Sequence, residues 1–423
     1  MPMESMKVIF LAAGSDGDIN PHLGLGCELK ARGHEVLFLT TFDYVESVRA
    51  CSLESLSVIG PEEADEFKRA GSLGSVAKIK ARCRFFSRKT CEICDLVAGR
   101  LDGRTILVAP PFGYAVAKLL HQRYRTPYVS TVLAPANLCS LRNPPAFKSG
   151  EWFARMPYPA RKLLFHCAER LVVDPVVRML LKHAARKLDL PLPRRVMSEW
   201  CYSPHSIVGL FADWFCPKAE DWPEQLVLTG FPLFDPKGET RQLSAGLRQF
   251  LDAGSPPVVF TAGTETPKSR VFFEAMVRTA TGLGVRGIVL TRLADQLPQL
   301  PKTIWHESYT CLDLLLPRAR ALVHHGGIGT TAQAMRAGVP QLILPGRLDQ
   351  FDNAQHVRRL GCGLVQRHPW DSSAVMEKLQ YLITATEVQT ACRWAQSRLE
   401  PSAEARSRAA DIVEQTFRAA IPF

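Results

Sequence analysis

The segment from Ala319 to Asn353, ARALVHHGGIGTTAQAMRAGVPQLILPGRLDQFDN, constrains this chain more than any other stretch. Ala321–Val323 is an apolar run of the kind that forms a buried strand, and the glycine-rich His325-Gly326-Gly327-Ile328-Gly329-Thr330 follows it. Thr331–Ala337 then predicts a helix stopped by Gly338, and Val339–Leu344 a second strand. A glycine loop that opens a helix offers unpaired backbone N–H groups and the positive end of the helix dipole, which suits a phosphate. Gly327 and Gly329 let the backbone close on such an anion, while His325 and Thr330 can donate from their side chains. Asp349-Gln350, beyond the second strand, can take up the hydroxyls of a sugar carried by that phosphate. A strand–turn–helix with glycines kept for packing accounts for the loop alone. It does not account for the Asp-Gln at this distance, so the segment points to a nucleotide-linked sugar.

Around it, short apolar strands alternate with longer helical patterns. Lys7–Ala12, Glu35–Thr40, Thr105–Ala109 and Tyr128–Val132 predict strands, with helices over His22–Arg32 and Tyr114–Arg123. Ile207–Phe211 and Leu226–Thr229 close this series, and Ala146–Met197 is helical and rich in Arg and Lys. After the polar Asp235–Pro257 a second series runs through Val258–Thr261, Gly287–Thr291, Ala321–Val323 and Gln341–Leu344. Such alternation means α/β architecture, parallel sheets wrapped by helices. The chain has 423 residues, more than the ~250–300 at which a single core stops growing. Two doubly wound domains are therefore expected, residues 1–235 and 236–400, with the ligand where the C-terminal ends of both sheets meet.

Composition removes several classes. Apolar residues make up 46% of the chain, ample for globular cores, and no run approaches the ~20 residues of a membrane span. Val8–Ala13 is shorter than a secretory apolar region and leads into a glycine turn, so it predicts a first strand and a cytoplasmic protein. The twelve cysteines are scattered; Cys91 and Cys94 form a CxxC without a second pair at zinc spacing, and fit one helix face as reduced thiols. The net charge of +11 comes without a zinc finger, RRM signature or basic heptads, so no nucleic acid is expected. The excess is local. Lys78–Lys89 holds six basic residues and no acid, and Lys148–Arg195 eleven basic against four acidic. Mixed with apolar residues, these segments suit either an anionic membrane surface or a solvated helix face.

Asp18 follows the first strand in Ala13-Gly14-Ser15-Asp16-Gly17-Asp18-Ile19-Asn20-Pro21, at the mouth of the first sheet. It is placed either to cap the His22 helix or to take a proton from a hydroxyl. Asp16-Gly17-Asp18 also matches a metal-binding DxD, but the phosphates already have a glycine loop and helix dipole, and no metal is expected.

The His325 loop with Asp349-Gln350 resembles the donor signature of GT-B nucleotide-sugar-dependent glycosyltransferases of the family 1 type. That group includes plant secondary-metabolite, macrolide and glycopeptide-antibiotic transferases. Ser203-Pro204, Trp214-Phe215, Asp221-Trp222-Pro223, Thr229-Gly230-Phe231-Pro232-Leu233-Phe234-Asp235 and Leu360-Gly361-Cys362-Gly363 extend the likeness, most fully toward bacterial rhamnolipid rhamnosyltransferase B chains, up to about Gln366.

The resemblance implies two Rossmann-like domains facing each other across a cleft, with a 401–423 helix returning to the first. It implies inverting transfer with Asp18 as base and Ser15 beside the acceptor. On the donor it places Thr264, Tyr309, His325, Gly327, Gly329, Thr330, Gln333, Asp349 and Gln350, with Tyr309 standing in for a missing Trp-x-Pro-Gln shelf. Gln333 occupies the place of a glutamate that grips ribose in many UDP-sugar enzymes; the position either varies freely or fits a deoxyribose donor. The expected donor is dTDP-L-rhamnose, a substrate, with no cofactor. The expected acceptor is a 3-(3-hydroxyalkanoyloxy)alkanoate lipid whose chains lie near Phe85, Phe86 and Trp152, fetched at the inner-membrane surface. Alternatives are transfer from a UDP- or dTDP-sugar to a natural-product or sterol-like aglycone, a non-catalytic sugar-nucleotide-binding subunit, and a dinucleotide oxidoreductase. The last lacks a GxGxxG after the first strand.

Overall fold

A computed structural model describes residues 5–71, 75–148, 151–236, 242–263, 269–368 and 371–420. Two parallel sheets organise them. The first holds β1 (Lys7–Leu11), β2 (Glu35–Thr41), β3 (Glu54–Ile59), β4 (Thr105–Ala109), β5 (Tyr128–Val132), β6 (Ser206–Gly209) and β7 (Leu226–Leu228) in the order β3-β2-β1-β4-β5-β6-β7. The second holds β8 (Val258–Thr261), β9 (Gly287–Leu290), β10 (Ile304–Glu307), β11 (Ala321–His324), β12 (Gln341–Ile343) and β13 (Gly363–Val365), ordered β10-β9-β8-β11-β12-β13. Central strands such as Val8–Leu11 and Ala321–His324 are buried on both faces, which is why they read as unbroken apolar runs. Chain order reverses between β1 and β4 and again between β8 and β11. The loops after these four strands therefore splay apart and leave a crevice at each switch point.

The first helix spans Asp16–Ala31 rather than starting at His22. Ser15 is its N-cap, Asp16 and Asp18 sit in its first turn, and the capping bonds hold that turn although Pro21 forfeits one interior hydrogen bond. The chain's last helix, Ser402–Ala420, packs on it from the far end. Arg32 reaches Asp411 at 2.6 Å, Arg408 donates to the Thr229 carbonyl at 2.8 Å and Thr416 to Ser206 Oγ at 2.7 Å. The C-terminal helix thus lies against the first sheet.

A helical layer covers the other side of that sheet. Helix Ser75–Ala98 packs on helix Asp174–Lys187, burying Phe85, Cys91, Cys94 and Leu181 against Ile9, Leu37 and Leu107 of the first sheet. The CxxC pair is packing material, and burial pushes the Cys94 thiol up to about 12. No helix among the described residues is long and apolar enough to cross a membrane.

Candidate active site

A cavity of about 1030 Å³ opens between the C-terminal ends of the two sheets and takes walls from both. That is at the upper end of the ~300–1,000 Å³ usual for ligand pockets, room for a donor and part of an acceptor.

On the second-domain side, β11 ends in His324, which is fully buried. Its Nε2–H donates to Gln341 at 3.0 Å, and its Nδ1 accepts the Gly326 N–H at 3.2 Å, fixing the turn. Gly326 adopts φ +93°, and the turn carries His325 into the cavity wall. The His325 ring lies between two glycines. A Cβ at Gly263 (φ +79°) would stand 2.6 Å from its Cε1, and one at Gly327 2.6 Å from its Nε2. Those glycines make room for the imidazole; nothing lies within 4 Å of a Cβ at Gly329, which borders open space. Burial, with Arg347 nearby, pulls the His325 pKa down to about 4, so the ring is neutral at pH 7. Its Nδ1 is buried without a hydrogen-bond partner among the described residues.

The expected loop Ile328-Gly329-Thr330 is in fact helical. Gly327 is the N-cap, and helix Ile328–Ala337 opens with the bond from Thr331 N–H to Gly327 O at 2.9 Å. The amides of Ile328, Gly329 and Thr330 precede that first bond and sit at the cavity, a helix terminus whose free N–H groups suit an anion. Gln333 lines the same wall one turn on. Asp349 stands at the N-cap position of helix Gln350–Arg359 without a side-chain capping bond. Buried Asn353 donates to Asp349 Oδ2 and to Gly326 O, each at 3.0 Å, clamping this helix to the glycine turn. Burial raises the Asp349 pKa, Asn353 opposes it, and the Asp18 carboxylate adds to the rise. Gln350 is partly committed: its Oε1 accepts the Gly346 and Arg347 amides at 2.9 and 3.2 Å, leaving its NH₂ for a ligand. Tyr309 lines the cavity with its hydroxyl 3.4 Å from Asp235 and the Arg292 guanidinium 5.6 Å from its ring centre. Thr264 lies outside the described residues.

From the first domain comes Asp18. Its Oδ2 accepts the Ser15 N–H and the Ser15 hydroxyl, both at 2.8 Å. Gly14, at φ +143°, makes this possible, since a Cβ there would lie 2.5 Å from the same oxygen. Asp18 therefore caps its helix with Oδ2, while Oδ1 has no hydrogen bond among the described residues. Ser15 and Asp18 line the cavity, and Asp18 is close enough to Asp349 to be felt electrostatically. His22 is structural: fully buried, it donates from Nδ1 to Asp18 O at 2.6 Å and accepts from Thr131 at 2.7 Å. Asp16 accepts from Tyr44 at 2.8 Å and lies 3.9 Å from Arg292 of the second domain, so its carboxylate ties the first turn to its neighbours.

The acceptor end departs from expectation. Phe85 is buried against Phe67 in the helical layer, Phe86 turns outward beside it, and Trp152 is 56% exposed against Phe153; none reaches the cavity. The helix holding Phe85 and Phe86 is amphipathic toward its own neighbours, and adjacent residues on it cannot both face the cleft. The apolar wall is built instead by Pro110, Phe112, Leu133 and Phe147. Sequence reasoning also missed Asn353, detectable as an amide one helical turn after Asp349, and Arg292 and Arg347, which carry no local pattern. Among the described residues one group could offer three metal ligands, Asp235, Cys311 and Asp313, within 4.8 Å. Cys311 donates to Asp235 at 2.9 Å, and Asp313 lies 3.8 Å from Arg336, so protein partners already engage it.

Three neutral histidines give the site an acid limit. Burial depresses His22, draws His325 to about 4 and, with His325 beside it, His324 to about 3, all from an ordinary 6.5. The unfolded chain binds these protons below pH 6.5 while the fold refuses them, so stability is full above 6.5 and drains as pH falls toward 4. Asp349, being raised, runs the other way, but it is one group against three. Urea midpoints should drop steeply between pH 7 and 4.5; a flat profile would contradict this assignment.

The match to known proteins agrees with this geometry. Residues 283–417 match the family described as erythromycin biosynthesis protein CIII-like, C-terminal domain. Over 367 residues the chain is 29% identical to O-mycaminosyltylonolide 6-deoxyallosyltransferase of Streptomyces fradiae, covering 84% of each protein. Its fold is similar to the calicheamicin glycosyltransferase CalG4 (TM-score 0.74, 22% identity, 99% and 100% of the two chains). It is also similar to the glycosyltransferase VinC in complex with dTDP (TM-score 0.65, 18% identity, 97% and 100%). With two Rossmann-like sheets facing across a cleft, the chain has the fold of the GT-B glycosyltransferase structures it resembles.

Proposed function

We propose that the chain transfers a deoxysugar from a dTDP donor to a hydroxyl of a bulky apolar acceptor, with inversion and without a metal. The observation that carries this is that Asp18 and the His325–Asp349 donor loop, from opposite sheets, border one cavity. Asp18 Oδ1 takes the acceptor's hydroxyl proton as its oxygen attacks the anomeric carbon. The bond from that carbon to the diphosphate breaks, and its electron pair leaves on the nucleoside diphosphate. The helix terminus at Ile328–Thr330, with His325 and Thr330, meets the charge that develops. Asp349 and the Gln350 amide hold the sugar hydroxyls, and Tyr309 shelves the base.

Support for a thymidine donor comes from Gln333, an amide where a ribose-gripping carboxylate would stand, and from the dTDP bound by VinC. The tylonolide transferase, by its name, acts on a macrolide, and an apolar wall of Pro110, Phe112, Leu133 and Phe147 suits such an aglycone. A panel of dTDP- and UDP-sugars against macrolide, sterol and hydroxyacyl-lipid acceptors, read by mass spectrometry, tests the proposal. A dTDP-deoxysugar with an apolar aglycone should win. UDP-glucose with a polar phenol as the best pair would overturn it. Gln333→Glu should shift preference toward UDP-sugars, and EDTA should leave turnover unchanged; strong loss on chelation would return a metal to the mechanism.

A second reading keeps L-rhamnose as the sugar and a 3-(3-hydroxyalkanoyloxy)alkanoate as acceptor. The apolar wall favours it, with Phe147, half exposed at the cavity edge, offering a path for acyl chains. Each buried methylene is worth about 0.8 kcal/mol, so affinity should climb with chain length until the wall is covered. Affinity independent of chain length would remove this acceptor.

A further inference from the structure

Helices Tyr158–Ala168 and Asp174–Lys187 are joined by the single π-turn Glu169–Val173 into one rod. Its outer side is unusually apolar for a face that no described residue covers. Leu163 is 68% exposed, Leu171 72%, Val172 61% and Met179 53%. Leu163 and Leu171 stand eight residues apart, and Val172, Val176 (40% exposed) and Met179 follow one another at four- and three-residue steps, so they line one broad face about 24 Å long from Leu163 to Met179.

The charges that the rod itself turns to solvent have one sign; the exposed acids nearest it, Asp95 and Glu199, are paired with Lys187 and Arg195. The only acids between residues 158 and 187 are Glu169 and Asp174. Both are buried: Glu169 accepts the Ser198 N–H at 2.7 Å, and Asp174 the Arg195 and Val196 amides at 2.9 and 3.0 Å. Lys162, Arg170, Lys182 and Arg186 are exposed and form no ion pair among the described residues. The other basic segment differs. On helix Ser75–Ala98, Lys89 is bound to Glu63 and Glu92, Arg88 pairs with Glu66 at 2.7 Å, and Arg82 lies over Phe67.

We propose that the Leu163–Met179 face docks on the surface of an anionic phospholipid bilayer. Exposed aliphatic side chains flanked by cations, with every acid turned inward, match the interface where acyl chains meet anionic headgroups. An acidic protein partner would answer the cations but not the apolar stripe. The rod is tied to the acceptor side of the cleft. Buried Arg161 donates to the Leu141 carbonyl, and Arg142 lies 4.7 Å above the Tyr158 ring, in the loop between Leu133 and Phe147 of the cavity wall. Docking here brings that wall to the lipid surface.

The inference is independent of the transfer reaction, because it is read without donor or acceptor. The full chain is floated with vesicles of phosphatidylcholine alone or with about one-third phosphatidylglycerol. It should rise with the anionic vesicles and be released by high salt. Leu171→Glu with Val172→Glu should abolish flotation, and Lys162→Gln with Lys182→Gln should weaken it by roughly fivefold per cation. dTDP binding, unchanged in these variants, controls for folding. Equal flotation with both vesicle types, or none with either, overturns the proposal. So does a dimer of the wild-type chain that the double glutamate variant breaks while vesicle binding persists, since a second copy then covers the face.

Discussion

Replacing Asp18 by Asn should lower turnover by a factor on the order of 10²–10⁴ and leave donor affinity and thermal stability nearly as they were. The geometry explains why this substitution separates two functions. Asp18 Oδ2 caps the helix by accepting the Ser15 amide and hydroxyl, and an amide oxygen at the same place can still accept both. What Asn cannot do is receive a proton at Oδ1. Asp18→Ala loses both functions, and should cost about 1 kcal/mol of stability besides the activity. Steady-state kinetics with calorimetric dTDP titration distinguishes the cases. Near-normal turnover in the Asn variant removes Asp18 from the chemistry and leaves it a capping residue.

The second large effect concerns the donor loop. His325→Ala should weaken dTDP binding by about 1–3 kcal/mol, roughly 5- to 150-fold in Kd, because it deletes a hydrogen bond to a charged group. Gly327→Ala should weaken it comparably, although it touches no hydrogen-bonding side chain. Its new methyl would fall 2.6 Å from His325 Nε2 and drive the ring from its slot. Agreement between the two variants is the signature of an imidazole held between Gly263 and Gly327. Unchanged affinity in both would mean that the phosphates lie elsewhere.

The sheets were legible because doubly buried strands leave continuous apolar runs, as at Val8–Leu11 and Ala321–His324. Three strands were not: Glu54–Ile59 interleaves Glu54, Ser55 and Ser57 with its apolar residues, Ile304–Glu307 is polar at its end, and Gly363–Val365 has only three residues. Both helix starts that matter were placed too late. Pro21 and Gly329 look like helix breakers, yet the Ser15–Asp18 cap and the Gly327 N-cap begin the helices before them. The candidates His325, Gly327, Gly329, Thr330, Gln333, Asp349 and Gln350 were local in sequence, on two consecutive segments, and so could be read together. The acceptor wall could not, because Pro110, Leu133 and Phe147 come from separate loops joined only by the fold. Phe85 and Phe86 misled for the same reason: helix Ser75–Ala98 finds its partner in Asp174–Lys187, a pairing that local pattern does not record.

The account stands on one displacement across one cleft, an acceptor oxygen activated by Asp18 attacking a sugar whose leaving group rests on the Ile328–Thr330 helix terminus. The anomeric configuration of the product, read from the one-bond carbon–hydrogen coupling at that carbon by NMR, tests it most directly. Inversion relative to the donor, with one nucleoside diphosphate released per glycoside formed, is the predicted result. Retention of configuration would contradict the account, for it requires a protein nucleophile or a front-face path that this arrangement of Asp18 and the donor loop does not supply.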